Sequence, residues 1–453
     1  MRILVVQTNT NRLLMPTPLG ASLVAARLRR DGHAVRFLDL MHAPDPEEAA
    51  ATAAHAFRPE LACFSIRNRD NMSLRDYADP MPQVARVVAA VHRAEPAPSL
   101  LGGTAFTTYP ARILAATAAD WGIAGDDLEV VASFVGSVAQ GAPDLSTAGL
   151  VYRGGDGTVV ENPFRVVGYR DVRFDNWDLI DVGAYRRAYW QAGVVTRSGC
   201  SEECVFCDTF RTFGREVVLR EPEAVAEDLL ALKSTGRVRS VFLVDAGFNR
   251  PLDHAKEVLR QVIRRGAQLQ LHAILDPGPC DPELLTLYRR AGGASFMLFA
   301  ESLSDTVLHE LRKPFGAAEV RRDAAALRRA GIGFFFMPTL GSPGETPETV
   351  RQTLEGAWRL GATYVDFGIG WRIQPRTALR ERAVREGLLS ADDDCYEARF
   401  YVSPETPRPW LEEQVKACRR RHPLAALHMA PFLLRLLVRR PWTWQAETPP
   451  PAA

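Results

Sequence analysis

The sequence predicts an α/β protein with two units in series, a doubly wound N-terminal domain and an incomplete (β/α)6 barrel. Two stretches in which apolar strands alternate with amphipathic helices indicate this class. The second stretch holds six consecutive strand–helix pairs without a reversal, which favours a parallel sheet that curls toward a barrel. We therefore expect domains at 1–135 and 191–390, a connector with little regular structure at 136–190, and a helical cap with a Pro-rich tail at 391–453.

The N-terminal domain is expected to be Rossmann-like, because short apolar runs alternate in it with helical faces. Ligands of such sheets bind beyond the carboxyl ends of the strands. No Gly-x-Gly-x-x-Gly sequence follows the first strand, which disfavours a dinucleotide. The predicted strands are Ile3–Val6, Val35–Leu40, Leu61–Ile66 and Ser99–Leu101. The candidate ligand loops are Thr8–Pro18, Arg67–Asn71 and Gly102–Tyr109.

The barrel is predicted from longer apolar runs with helical faces between them. One such face carries Val225, Leu229 and Leu232, spaced as on one side of a helix. An active site is expected at the carboxyl ends of the barrel strands. The predicted strands are Ala192–Thr196, Val241–Asp245, Gln268–Ile274, Ser295–Ala300, Gly333–Leu340 and Thr363–Gly368.

Composition excludes several classes of protein. The 453 residues carry a formal net charge of +1, far from the strongly basic balance of a nucleic-acid binder. No uncharged apolar run reaches the roughly 18 residues that a membrane span needs. The most hydrophobic tract, Ala430–Val438, is interrupted by Pro431 and Arg435. The N-terminal apolar run resembles a strand more than a signal peptide, so we expect a cytoplasmic protein.

Three of the seven cysteines form a cluster directly after the first barrel strand, where an active-site loop belongs. They stand in the sequence Cys200-Ser-Glu-Glu-Cys204-Val-Phe-Cys207. Soft thiolates at this spacing are typical ligands of an iron–sulfur cluster, and three ligands would leave one iron open to an exogenous chelate. Zinc is the alternative, although no histidine lies between Thr196 and Arg250 to complete a structural zinc site.

The Cys-x3-Cys-x2-Cys pattern, with an aromatic residue before the last cysteine at the start of a βα barrel, resembles the radical S-adenosylmethionine (SAM) superfamily. Segments at later strand ends are similar to that superfamily's SAM-contacting motifs. They begin at Phe242, Phe299, Met337 and Gly370. The resemblance implies a 4Fe–4S cluster whose catalytic metal ligands are Cys200, Cys204 and Cys207. It implies SAM contacts from Phe206, Asp245, Ala246, Glu301, Ser302, Gly341 and Arg372.

A doubly wound domain before such a barrel resembles the cobalamin-dependent branch of radical SAM enzymes, over residues 1 to 400. The Asp-x-His-x-x-Gly motif of cobalt-ligating domains is absent, as is typical of this branch. Arg69 is hypothesised to face the lower side of the cobalt and to discourage a further ligand; a solvated arginine is the alternative. The resemblance implies cobalamin contacts from Pro18, Arg67, Asn68, Arg69, Gly102, Gly103, Thr104 and Gly125.

The resemblance implies a cobalamin-dependent radical SAM methyltransferase. Its substrate would be a small molecule of the natural-product kind, methylated at an unactivated carbon through a 5′-deoxyadenosyl radical and methylcobalamin. An external electron donor of the flavodoxin or ferredoxin type would serve the cluster. The alternative keeps the cofactors but catalyses a non-methylating rearrangement, ring contraction or cyclisation. A metal-binding regulatory protein without catalysis is a third possibility, and the ordered strand-end motifs disfavour it.

Overall fold

A computed structural model of the chain describes residues 1–11, 16–187 and 191–422. The predicted Pro-rich tail and the hydrophobic tract Ala430–Val438 lie outside the described residues. So does part of the first candidate loop, at 12–15.

The N-terminal domain is a seven-stranded sheet in the order β2-β1-β3-β4-β5-β6-β7. The first five strands are parallel, as expected for a doubly wound sheet. The strands are β1 (Arg2–Gln7), β2 (Ala34–Asp39), β3 (Leu61–Ser65), β4 (Ser99–Gly102), β5 (Trp121–Ile123), β6 (Leu150–Arg153) and β7 (Val159–Glu161). The helices are α1 (Leu19–Arg30), α2 (Pro46–Phe57), α3 (Met81–Ala94), α4 (Thr104–Thr108), α5 (Pro110–Thr117) and α6 (Leu128–Ala139).

The N-terminal sheet continues beyond residue 135, so part of the segment expected to be an irregular connector forms two strands. Helix α6 ends at Ala139, and β6 and β7 extend the sheet as an antiparallel pair. Strands of three or four residues at a sheet edge carry too few side chains to produce a clear alternation. The polar turn at Gly154 was the signal in the sequence that two strands could pair here. In the structure, the Gly154 N–H donates to the Thr158 carbonyl at 2.8 Å and closes the hairpin.

The second unit contains the predicted six-stranded parallel sheet, which confirms the incomplete barrel. Its order is β16-β14-β13-β12-β11-β8. These strands are β8 (Ala192–Val194), β11 (Ser240–Leu243), β12 (Gln270–Leu275), β13 (Gly293–Leu298), β14 (Gly333–Phe336) and β16 (Tyr364–Val365). The accompanying helices are α7 (Thr209–Phe213), α8 (Pro222–Ser234), α9 (Leu252–Arg264), α10 (Pro282–Arg290), α11 (Asp305–Glu310), α12 (Ala317–Arg329) and α13 (Pro347–Arg359).

Three small two-stranded sheets extend the carboxyl-end side of the barrel. They pair β9 (Arg197–Ser198) with β10 (Val218–Leu219), β15 (Thr339–Leu340) with β17 (Gly368–Ile369), and β18 (Trp371–Arg372) with β19 (Phe400–Tyr401). Helices α14 (Ala378–Arg385) and α15 (Arg408–Arg421) complete the described part of the chain. No helix within residues 1–11, 16–187 and 191–422 has the length and apolar character of a membrane span.

The two units face each other with the carboxyl ends of their strands. A Cβ atom at Gly193, on β8, would lie 3.7 Å from the Thr17 hydroxyl of the N-terminal domain. Arg211, on α7, donates to the carbonyl of Thr107, on α4, at 3.5 Å. The loops that each unit offers for ligands therefore share one region between the sheets.

Candidate active site

The cysteine loop has a fixed backbone path. Gly199 has a φ of +78° and no room for a side chain beside the Glu216 carbonyl, so only glycine fits there. The next residue, Cys200, donates its backbone N–H to the Gly214 carbonyl at 3.1 Å. These contacts hold the start of the loop against the segment after α7.

The three cysteines line one cavity of about 110 Å³ and none of them forms a disulfide. Burial raises the pKa of Cys204 to about 12 and raises the pKa of Cys207 as well. Within the described residues, no three His, Cys, Asp or Glu side chains converge closely enough for a single metal ion. The thiols line a cavity and do not converge on a single position. This arrangement fits a polynuclear cluster better than the zinc alternative.

A buried ion pair lies next to these thiols. Lys313 Nζ is 2.6 Å from Glu301 Oε2, and both side chains are largely buried. Burial lowers the pKa of Lys313, but Glu301 outweighs that effect and the net shift is upward. Both charges act on the Cys204 thiol, so they lie within the electrostatic range of the cluster site. Glu301 was predicted from the sequence, whereas Lys313 was not.

Phe206, between two of the cysteines, packs on the sixth-strand region of the barrel. Its ring stacks on Trp371 of β18, with centroids 3.9 Å apart and planes at 25°. The indole N–H of Trp371 donates to the Ser342 hydroxyl at 2.9 Å, which fixes the ring. The cysteine loop is therefore anchored to β18 through aromatic stacking.

Two of the residues predicted for SAM make hydrogen bonds within the barrel. The Asp245 carboxylate accepts hydrogen bonds from the Thr196 hydroxyl at 2.6 Å and from the Arg197 N–H at 3.1 Å. Ser302 hydrogen-bonds through its hydroxyl to Thr353 at 3.0 Å and is fully buried. Both side chains join neighbouring segments of the fold, and their contact with SAM stays a prediction.

The structure also places Gly341 and Arg372 in structural contacts. Gly341 has a φ of +82° and lies in a tight turn, where the Glu345 carboxylate accepts its N–H. Burial raises the pKa of Glu345 to about 7. Arg372 is buried against the N-terminal domain, with Nε 2.8 Å from Asp70 Oδ2. Its guanidinium is engaged by the N-terminal domain, and its predicted contact with SAM stays a prediction.

The barrel mouth contains an acidic residue that was not predicted from the sequence. Asp276 directly follows β12, and its Oδ2 lies 3.4 Å from Arg250 Nε. Burial raises the pKa of Asp276 to about 6. The strand-end rule that identified Glu301 applies to this position too, although Asp276 lies outside every segment that resembles a SAM motif. Ala246, one of the predicted SAM contacts, is exposed at the end of β11.

Apolar side chains with accessible surface complete the mouth. Val244, just after β11, is 40% exposed, and Met337, just after β14, is 36% exposed. Large apolar side chains open to a concave space between two domains are typical of a ligand site.

The residues predicted for cobalamin follow four strands of the N-terminal sheet. The carboxyl ends of β3, β4 and β5 and the start of α1 lie on the edge that faces the barrel. Burial lowers the pKa of Arg67, although its side chain is exposed. The guanidinium is therefore close to other protein groups while part of the side chain remains accessible. The residues on this edge are Pro18, Arg67, Asn68, Gly102, Gly103, Thr104 and Gly125.

Gly103 fixes the distance between two of these loops. It has a φ of +100°, and a Cβ atom there would lie 2.5 Å from the Ile66 carbonyl oxygen. The hydroxyl of Thr104 donates to the Arg67 carbonyl, which joins the same loops. Gly125 follows β5 with a φ of +111°, and its N–H donates to the Thr107 hydroxyl at 3.0 Å.

Arg69 differs from Arg67 in its surroundings, and its predicted position beside the cobalt stays a prediction. Arg69 is buried, its Nη1 lies 2.5 Å from Asp79 Oδ1, and its guanidinium covers the Tyr396 ring at 4.1 Å. Those two contacts stabilise the positive charge of the Arg69 guanidinium. Arg67 makes no ion pair within the described residues, so its guanidinium is the one that remains open to a ligand.

Two protein families match separate parts of the chain, one in each of the two units. The family described as B12 binding domain matches residues 9–135. The family described as Radical SAM superfamily matches residues 194–357. The cysteine loop therefore lies within the radical SAM match, and the loops after β3, β4 and β5 lie within the B12-binding match.

Known proteins with similar chains include several methyltransferases. A tryptophan 2-C-methyltransferase from Streptomyces laurentii is 23% identical, over 90% of this chain and 78% of its own. A hopanoid C-3 methylase from Methylococcus capsulatus is 25% identical. That match covers 67% of this chain and 57% of the relative's length. The solved structure of the radical SAM methyltransferase TsrM from Kitasatospora setae, with tryptophan and a SAM analogue bound, matches with a TM-score of 0.79. That match covers 92% of this chain and 88% of the other at 21% identity, and it establishes the fold.

Proposed function

Because this chain joins a B12-binding domain to a radical SAM domain, we propose that it is a cobalamin-dependent radical SAM methyltransferase. The reaction replaces a C–H bond on an unactivated carbon of a small molecule with a C–CH3 bond. The observation that carries the proposal is the contact between α7, which follows the cysteine loop, and α4, which follows the β4 loop of the N-terminal sheet: Arg211 donates to the Thr107 carbonyl at 3.5 Å. Its cofactors are a 4Fe–4S cluster, SAM and cobalamin.

The chain's own residues divide the cofactors between the domains. Cys200, Cys204 and Cys207 hold the cluster, and Ala246 and Glu301 line the adjoining space for SAM. When bound, the reduced cluster supplies the electron that cleaves SAM, and cobalamin supplies the methyl group that the substrate receives. Phe206 is fixed by stacking, so it holds the cysteine loop at one distance from β18.

Cobalamin is held by the edge of the N-terminal sheet that faces the barrel. The glycines after β4 bring backbone amides close to the ligand, and Asn68 and Thr104 offer side-chain hydrogen bonds. We propose that Arg67 would contact cobalamin from this edge. The support for this contact is the open guanidinium of Arg67, because Arg69 is engaged by Asp79.

The substrate is an aromatic or otherwise apolar small molecule of the natural-product kind. The exposed side chains of Val244 and Met337 give the mouth apolar surface, which a strongly charged substrate would not use. Tryptophan is the substrate named for the Streptomyces laurentii relative, and it is bound in the solved structure of TsrM. Tryptophan and indole derivatives are therefore the first compounds to test.

Product mass tests methyl transfer directly. We expect that the reconstituted enzyme, given SAM with a trideuterated methyl group, yields a product of tryptophan or an indole derivative that carries the label. The label must appear because a C–CH3 bond forms. Mass spectrometry of the product is the measurement, with enzyme lacking reductant as the control.

A product of unchanged carbon count would support the alternative, a rearrangement, ring contraction or cyclisation with the same cofactors. Consumption of SAM without a labelled product from any compound in the set would count against the proposed substrate class. The methyltransferase names among the relatives favour labelling.

An acidic electron carrier of the flavodoxin or ferredoxin type is the proposed partner. Arg215, Arg312 and Arg376 are exposed and line the same cavity as the cluster thiols. Arg312 and Arg376 have φ of +55° and +59°, a backbone conformation that is rare outside glycine and common at functional sites. Glu202 and Glu203 line the same cavity, but the three arginines outnumber them, and a net positive rim attracts an acidic carrier to the place where the electron enters. The thiols also need a reducing compartment, so we place the enzyme in the cytoplasm.

Charge reversal at this rim should slow electron transfer from the protein carrier. Electron transfer from a small reductant should be less affected. For Arg312→Glu combined with Arg376→Glu, we expect the ratio of flavodoxin-driven to dithionite-driven turnover to fall about tenfold at low ionic strength. Turnover with each reductant is the measurement. Arg290→Glu, at an exposed arginine that ends α10 and lies outside the cavity, is the matched control. An unchanged ratio in the double variant would exclude this rim as the docking surface.

A further inference from the structure

A buried ion pair connects the two domains. Arg372 Nε, on β18, lies 2.8 Å from Asp70 Oδ2, in the loop after β3. The side chains are 1% and 2% exposed. The two residues are 302 positions apart in the sequence, so the contact exists only when both domains are folded and docked.

The remaining hydrogen-bonding groups of the pair are satisfied as well. Arg372 Nη1 donates to the Ile373 carbonyl at 2.6 Å, and Nη2 donates to the Cys395 carbonyl at 2.8 Å. Asp70 Oδ1 accepts the N–H of Met72 at 2.8 Å. Because all three nitrogen atoms of the planar guanidinium donate hydrogen bonds, the orientation of the group is fixed. A lysine ammonium cannot reproduce this geometry.

Energetics suggest a geometric role for such a pair. A buried ion pair loses hydration on both charges, and apolar replacements of the same shape are often no less stable. Its advantage over apolar contacts is a defined geometry. A contact that fixes geometry matters most where two reacting groups belong to different domains.

The pair lies on a continuous path between the two predicted cofactor loops. Asp70 is three residues after Arg67, in the loop assigned to cobalamin. Arg372 is adjacent to Trp371, whose ring stacks on Phe206 at 3.9 Å. Phe206 lies between Cys204 and Cys207 in the cluster loop. Two contacts and one peptide bond therefore connect one cofactor loop to the other.

We propose that Arg372 is a positioning residue that holds the cobalamin loop and the cluster loop at a fixed separation through Asp70 and Trp371. This inference rests on the proposed function. Loss of the Arg372 guanidinium, the fork of three nitrogen donors, should leave each cofactor bound. Only the separation between the cofactors should change. The reaction then becomes uncoupled, because SAM is cleaved without methylation of the substrate.

The test uses the holoenzyme with Arg372→Lys, which keeps the charge and removes the fork. We expect cobalt and iron per chain to remain at wild-type values. We expect the amount of product per SAM cleaved to fall on the order of 10- to 100-fold, as for small misplacements of reacting groups. The enhancement of cob(II)alamin spin relaxation by the reduced cluster should change too, and this readout does not depend on turnover.

Asp70→Asn, nearly identical in shape, provides a second variant if Arg372→Lys fails to fold, and the same result is expected. Arg112→Met is the matched control, since Arg112 also joins the two domains, with Nη1 2.6 Å from Asp394 Oδ2. That pair is about half exposed and lies off the path between the loops. We expect Arg112→Met to leave coupling unchanged.

The outcomes are separable. Wild-type coupling and relaxation in Arg372→Lys or Asp70→Asn would overturn the inference, as would equal uncoupling in Arg112→Met. Loss of cobalt or iron together with activity would also overturn it, because the pair would then serve folding alone. If the wild-type enzyme itself binds no cobalamin, it is the proposed function that fails.

Discussion

Replacing Cys204 with alanine abolishes both SAM cleavage and methylated product. Three thiols line the cavity, and removal of one leaves two ligands for a cluster that would take three from the protein. We expect iron per chain to fall to a small fraction of the wild-type value after anaerobic reconstitution, and deoxyadenosine to fall to background. Iron analysis, the visible absorbance of the cluster and chromatography of deoxyadenosine measure the effect.

Cys280→Ala is the matched control for this variant. Cys280 is also half-buried and reduced, but it lies outside the cavity. We expect it to retain iron and turnover. Undiminished turnover of Cys204→Ala would refute the cluster, whereas equal loss in both variants would indicate a general effect on folding.

The second large effect is expected for Gly103→Ala, which should remove cobalamin and leave the cluster in place. The added Cβ atom would lie 2.5 Å from the Ile66 carbonyl oxygen, at a φ of +100° that side chains rarely adopt. The loops after β3 and β4 must then move apart. Strain of roughly 1–3 kcal/mol lowers cobalamin affinity about 10- to 100-fold if binding must restore the native loop. Equilibrium binding of cobalamin, followed by absorbance, measures this change.

Gly32→Ala separates loop geometry from backbone strain. Gly32 has a φ of +87°, but nothing lies within 4 Å of the Cβ atom that would be added. We expect a loss of about 1 kcal/mol in the free energy of unfolding and unchanged cobalamin affinity. Equal affinity of Gly103→Ala and wild type would contradict the assignment of this edge to cobalamin.

The sequence was sufficient for the barrel and for the position of the cluster loop. Six apolar runs separated by helical faces predict parallel strands, and the strand-end rule then places the cysteines at the mouth. The extra pair β6 and β7 was not predicted, because strands of three or four residues leave no clear period. The strand-end rule also locates Asp276, which no motif resemblance marks.

The roles of individual side chains were less predictable. Position after a strand does not determine where a side chain points, and Asp245 turns back to Thr196 and Arg197. The partners of Arg372 lie in another domain, so no local pattern reveals them. Arg67 and Arg69 have similar sequence surroundings, yet only Arg69 meets Asp79. Long-range packing decides each of these cases.

The measurement that tests the central claim most directly is cobalamin per chain. The protein is purified without oxygen, its cluster is reconstituted, cobalamin is offered in excess, and the bound corrin is released with cyanide and measured by absorbance. We predict a value close to one cobalamin per chain. A value close to zero would contradict the claim, because the N-terminal domain would then have no corrin and methyl transfer would have no carrier.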